Sequence, residues 1–376
     1  MNYFFLVFSF IFITGFLLNP LIKKSKSEVL SNKRESNLDG LRYILASLVA
    51  FHHYFYSINF FNTGNWTSNS NFISYIGPFG VAIFFIISGY LFANTPLNEK
   101  YWKKFFIHRF FRIAPISVIS SLLCILISVI FFGLNINDIY KLFYWFDFGL
   151  LNIRPNFNSY NYSSLINAGV TWTLVWEWMF YITLPIFSMI LCKKRFFSTI
   201  PYIVILVSIL SIVKPSIFQI LLFGFYFSTG IFSKKYIKKI EIKISKNKLN
   251  ILSLTFFLIC IIIGSNIDYI PYIKYTLPFL YALFFFTIIK GADWFGILTT
   301  KIFTELGDAS YSIYLLHGVF WFLLNFIFYN YFDGFESSLY YISFILTWFS
   351  ICISSIFLYK NIELKFINYG KKITKK

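Results

Sequence analysis

The chain has 376 residues, is 58% hydrophobic and only 13% charged, and has a mean hydropathy of +0.68. Soluble domains are near a quarter charged, so this balance excludes a water-soluble globule. A formal net charge of +18 would suit nucleic acid, but the cations sit in the connectors between apolar segments. That placement excludes a nucleic-acid partner and points to a lipid bilayer.

Taken in chain order, apolar stretches long enough to cross hydrocarbon fall near 3–22, 43–61, 77–95, 113–133, 172–191, 196–213, 215–233, 249–265, 275–290, 309–329 and 338–358. They predict an all-α fold, a polytopic transmembrane bundle of about eleven helices, because a spanning helix satisfies its own backbone. All of the 33 cations except Lys141, Arg154, Lys214 and Lys274 fall in alternate connectors. Assigning the basic connectors to the cytoplasm puts the N-terminus outside and the C-terminus inside. The first segment has no positive n-region, and Lys23, Lys24 and Lys26 follow its apolar run, so a retained helix is expected rather than a cleaved signal. Residues 1–36 then form an extra helix with a basic connector, and 37–376 one membrane domain. Cys124, Cys192, Cys260 and Cys352 lie in or at the ends of spans without metal-ligand spacing and are expected to pack; no metal is implied.

Ionisable groups inside a span are costly unless paired or hydrated, which makes each a functional candidate. Arg42 and His53 are eleven residues apart, so they share a helix face at roughly 16 Å separation, while His52 points away. With Arg42 at the cytoplasmic edge, His53 lies near mid-membrane, where burial disfavours imidazolium and leaves a neutral base. The alternative for such a His is a bond to a neighbouring helix carbonyl. Arg109 and Arg112 share a face at i, i+3 spacing in a chain that otherwise prefers Lys, and their planar forks suit phosphate; a positive-inside anchor is the plainer reading. Glu177 stands among Trp172, Trp176 and Trp178, expected at the outer end of its span, and the rings suit either a sugar platform or an interfacial belt. His317 is expected about 12 Å inside the cytoplasmic edge, in a supporting role. The outer connector 134–171 carries Asn135, Asn137, Asn152, Asn156, Asn158, Asn161 and Asn167, which could receive a sugar or simply reflect composition.

Five ordered segments resemble the bacterial integral-membrane acyltransferase family three, which includes polysaccharide and O-antigen O-acetylases. They are Leu38-Asp39-Gly40-Leu41-Arg42 with His53 eleven beyond; Gly77, Gly80, Val81, Phe84, Phe85, Ile87, Ser88, Gly89 and Tyr90; and Arg109, Arg112, Ile113 and Pro115. The fourth is Trp172, Thr173, Leu174, Glu177, Phe180 and Tyr181, and the last runs from Ser310 to His317. Two departures stand out. One helix is added before the usual ten, and transfer is expected to proceed without an appended extracytoplasmic SGNH-type hydrolase domain.

The resemblance implies an O-acyltransferase taking an acyl group, commonly acetyl, from cytoplasmic acyl-CoA (acetyl-CoA) to an envelope glycan or its lipid-linked sugar precursor, in a bacterial inner membrane. On that basis His53 and Glu177 are the catalytic candidates, Arg42, Arg109 and Arg112 hold the CoA phosphates, and Asp39, Ser88 and His317 support them. His53 would act either as the base for a sugar hydroxyl or as a transient acyl carrier. The rival from another class is a transporter or flippase of a glycan precursor, with His53 and Glu177 as a proton relay.

Overall fold

A computed structural model describes residues 2–18, 35–94, 99–191, 215–241, 243–266, 275–332 and 334–375. Those residues are helical, with one long connector at 133–171 among shorter ones, and they include a single isolated β-bridge, Phe157 to Tyr160. The helices are α1 (Asn2–Leu17), α2 (Ser36–Thr63), α3 (Asn71–Phe92), α4 (Glu99–Phe132), α5 (Trp172–Leu191) and α6 (Pro215–Lys235). They continue with α7 (Lys246–Ser265), α8 (Leu277–Ile289), α9 (Lys301–Asp308), α10 (Ser310–Tyr331), α11 (Ser338–Leu358) and α12 (Leu364–Ile373). Among the expected spans, 196–213 lies outside the described residues, as do Cys192 and the Lys23, Lys24 and Lys26 cluster. Each of the others falls on a helix. Cys124, Cys260 and Cys352 are buried free thiols, as expected.

Five described helical segments are long and apolar enough to cross a membrane: Asn71–Phe92, Tyr101–Phe132, Lys246–Ser265, Ser310–Tyr331 and Ser338–Ile373. The chain is a multi-pass, all-α membrane bundle. Helix α2 is absent from that set because it carries Asp39, Arg42, His52 and His53. Its side chains from Leu38 to Tyr54 are nevertheless almost all buried, so protein rather than lipid surrounds its polar groups. It ends where Gly64, at φ 76°, returns its N–H to the Phe60 carbonyl, a left-handed cap that glycine adopts without strain.

Helices α2, α3 and α6 come together through small residues. A Cβ at Gly77 would meet the His52 ring, one at Gly80 the Leu45 carbonyl, and one at Gly89 the Phe227 carbonyl at 2.0 Å. On α6, Gly230 presses in the same way against Ile86. Without a hydrophobic drive between helices in lipid, such close backbone approach supplies the packing. The glycines of the third-helix motif are therefore explained by helix contact.

Two features depart from a plain row of spans. Helix α4 has 34 residues, about 51 Å, so its first turns run beyond one hydrocarbon thickness. There it meets the chain's last helix: α11 continues through a π-helical turn, Tyr359–Glu363, into α12, whose Gly370, Phe366 and Tyr369 pack on Phe111. His108 and Thr374 close the far end of this pair at 2.8 Å.

The second feature is the connector between α4 and α5, which folds into the bundle. Trp145 is fully buried, its carbonyl accepts from Ser121 on α4 at 2.7 Å, and its indole N–H donates to Pro155. The backbone of Asn167 rests against Gly318 of α10, where a Cβ would come within 2.3 Å. Asp147 receives Arg154 at 2.7 Å and the N–H groups of Gly149, Leu151 and Asn152. Burial works to raise the Asp147 carboxyl, and the Arg154 guanidinium with these N–H groups holds it below the ordinary range.

Candidate active site

The helical period that places His53 on the inner face of α2 sets it against His317 of α10. The His53 Nδ1 and His317 Nε2 atoms lie 2.9 Å apart, with rings nearly parallel at 17°. Beyond them, His317 Nδ1 is 3.0 Å from the Ile313 carbonyl, one turn earlier on its own helix. His317 is fully buried and His53 nearly so. Trp66, from the loop after α2, stacks over His53 at 6.2 Å, and the folded-in connector reaches the neighbour of His317 at Gly318. Helices α2 and α10 are held in register above this level by Trp321 donating to the Ala50 carbonyl and Asn325 donating to Ser57.

His52, adjacent in sequence, has the opposite fate. Its Nδ1 lies 2.7 Å from the Ile73 carbonyl of α3, and Gly77 leaves room for its ring. A carbonyl-bonded histidine is found at His52, and His53 itself also lies within hydrogen-bonding reach of the Val49 carbonyl one turn earlier on its own helix.

Contacts along α10 set relative depth. Tyr311 donates to the Ile113 carbonyl, Tyr314 receives Thr173, and His317 meets His53. From Tyr311 to His317 the helix rises about 9 Å. Glu177 lies one turn beyond Thr173 and within electrostatic reach of Arg112 and Tyr311. It therefore sits on the Arg112 side of the histidine pair, not at the outer end of the bundle as expected. The physical reason is the connector: because it folds inward, α5 starts at depth. Glu177 accepts a hydrogen bond from Tyr181, and no hydrogen bond joins it to His53 among the described residues.

The three arginines have different surroundings. Arg42 pairs with Asp39 one turn earlier at 2.7 Å and keeps 20% of its side chain exposed. Arg112 makes a 2.5 Å ion pair with Glu363, whose side chain is fully buried and also receives Ser312. Arg109 lies over Phe92 at 4.8 Å and near Phe105 and Tyr181, and its Nε is buried without a hydrogen-bond partner among the described residues. Ser88 is half-buried on α3 and makes no hydrogen bond among the described residues, so it is not drawn into this group. No cluster of three or more metal-ligating side chains occurs among the described residues.

Sequence reasoning missed Glu363. Its signal was available: it is the only acid in 360–376, a segment otherwise rich in Lys. The connector asparagines, left open between a sugar site and composition, have a structural use as well. Asn135, Asn152, Asn156, Asn158 and Asn167 use their side chains to hold the connector itself, as in Thr171 to Asn152 at 2.6 Å and Asn135 to the Asn137 N–H.

The acyltransferase domain family model matches residues 35–359. Nodulation protein 10 of Rhizobium leguminosarum bv. viciae is 29% identical over 167 residues, 41% of this chain and 44% of that protein. Peptidoglycan O-acetyltransferase OatA of Listeria monocytogenes is 29% identical over 180 residues, 43% of this chain and 25% of OatA. The matches thus cover less than half the length of either relative. No solved structure matches the chain.

Proposed function

This chain belongs to the acyltransferase domain family, and on that premise we propose that it moves an acyl group, most simply acetyl, from cytoplasmic acyl-CoA to a hydroxyl of an envelope glycan or its lipid-linked precursor. The similarity to OatA, a peptidoglycan O-acetyltransferase, supports the glycan acceptor and the acetyl group. The proposed setting is a bacterial inner membrane with the N-terminus outside, the C-terminus in the cytoplasm, and α1 as an addition to a membrane acyltransferase unit covering 37–376.

The observation that carries this reading is the placement of His53. It is a buried imidazole in the middle of a largely enclosed helix, with arginines on one side of it and the folded-in connector on the other. Its Nε2 has no hydrogen-bond partner among the described residues and serves either to take the proton of the acceptor hydroxyl or to carry the acyl group. Arg42 and Arg109 are the phosphate-binding candidates best supported by their surroundings: the first is partly exposed, and the second keeps a buried Nε unsatisfied. Arg112 contributes to the same field but is already neutralised by Glu363. Glu177, aligned by Tyr181 on the arginine side, is placed to act on the donor end of the reaction rather than on the acceptor.

The test is transfer of label from radioactive acetyl-CoA into envelope glycan by membranes containing wild type, His53→Ala or Arg42→Ala protein at matched expression. Labelling that falls by about 10³-fold or more without His53, and weakens without Arg42 through a raised KM for acetyl-CoA, is the expected result. Undiminished labelling by His53→Ala sinks the proposed chemistry.

A further inference from the structure

The bonds of the histidine pair are directional, and their direction can be worked out from one end. The Ile313 carbonyl has no proton to give, so the His317 Nδ1 that bonds it must be an N–H donor. A neutral imidazole carries one N–H only, which leaves His317 Nε2 as a lone pair. The His53 Nδ1, 2.9 Å from that lone pair, must then be the donor, and His53 Nε2 is bare. A backbone carbonyl thereby selects the tautomer of a ring on another helix.

We propose that His317 is a positioning residue that fixes His53 in its Nδ1–H tautomer, aims the Nε2 lone pair at the reacting groups, and shares the proton His53 acquires. This rests on the acyltransferase reading for its chemistry, although the tautomer itself does not. In the transfer step, the acceptor hydroxyl gives its proton to His53 Nε2 while its oxygen forms a bond to the acyl carbon. The carbon–sulfur bond then breaks, and the proton on Nε2 leaves with the CoA sulfur. While His53 holds the extra proton, its Nδ1–H leans towards His317 Nε2, so that the charge spreads over both rings and is met by the Ile313 carbonyl. The fixed carboxylate that orients many catalytic histidines is replaced by a second neutral imidazole. In a bundle interior this avoids burying a permanent charge beside the base.

Two substitutions separate this role from packing. In His317→Gln the side-chain amide reaches the position of Nε2 and presents an oxygen to His53 Nδ1–H. In His317→Asn the amide reaches only as far as Nδ1, so the bond to Ile313 can persist while the acceptor across the seam is gone and His53 is left with the Val49 carbonyl of its own helix. With both variants folded to the same extent, His317→Gln is expected within about tenfold of wild-type turnover, and His317→Asn lower by about 10²–10⁴-fold with little change in KM for the donor. Equal activity of the two variants, at either level, overturns the proposal.

A second measurement needs no substrate. The full chain has four histidines, so ring-¹⁵N-histidine protein in lipid can be assigned by single substitutions. The expected spectrum shows protonated Nδ1 and bare Nε2 in both His53 and His317, with a coupling between His53 Nδ1 and His317 Nε2 across the hydrogen bond. A bare His53 Nδ1, or no coupling, overturns the tautomer whether or not acetyl-CoA proves to be the donor.

Discussion

Two seams of this bundle join distant helices through contacts between ionisable side chains, and they do so with opposite chemistry. At the α2–α10 seam two neutral rings, His53 and His317, share one proton. Where α4 meets the π-helical turn before α12, a guanidinium meets a carboxylate, Arg112 with Glu363. A neutral seam can take up a proton, spread its charge over two rings and return to neutrality when the proton leaves. An ion pair cannot, and its natural work is to hold two segments together. The comparison teaches that ionisable residues in a membrane span do not all signal catalysis: the nature of the partner divides the reactive from the structural.

The comparison breaks most readily at the ion pair. Arg112→Ala leaves the Glu363 carboxylate, fully buried, without its cation, and is expected to cost about 3–5 kcal/mol. Thermal unfolding in detergent or lipid reads this as a large fall in Tm with loss of α12 packing. Glu363→Gln leaves only the partly exposed arginine unpaired and keeps an acceptor for Ser312, so about 1–2 kcal/mol is expected, with turnover close to wild type once stability is matched. If Glu363→Gln abolishes transfer at full stability, the ion pair does chemistry as well, and the division between the seams fails.

The smallest effect concerns the folded-in connector, whose Asp147–Arg154 pair is structural in the same sense. The Asp147 carboxyl is held below its ordinary value of 3.8, so its contribution is complete above that value and is lost as pH falls through the lower folded value. Hydrogen exchange across 143–171 is therefore expected to lose protection progressively below about pH 4. Asp147→Asn should show part of that loss already at neutral pH and add little on acidification. Protection that is unchanged in Asp147→Asn would show that the pair does not hold the connector.

Much of the α2 seam was legible in the sequence. The eleven-residue spacing from Arg42 to His53 and the helical period are local, so the face of His53 followed from one segment. His317 was visible as an ionisable residue in a span, but its bond to His53 depends on how α2 crosses α10, which no local pattern encodes. Glu177 was found as a residue and misplaced in depth, because its height is set by the inward fold of the connector rather than by its own helix. Arg112 was read as a free phosphate ligand, since its carboxylate lies 251 positions later in the chain. Ser88 was drawn in by its motif, whereas the motif's glycines proved to serve the contact between α3 and its neighbours.

The central claim is that acyl groups reach His53 from the cytoplasmic, arginine-bearing side. It is tested most directly by supplying labelled acetyl-CoA to sealed vesicles of known orientation containing wild-type or His53→Ala protein. The account predicts labelling of glycan in inside-out vesicles, where the arginine side faces the added donor, none in intact right-side-out vesicles until they are permeabilised, and none with His53→Ala in either. Equal labelling of intact vesicles in both orientations, or labelling that survives His53→Ala, would contradict it.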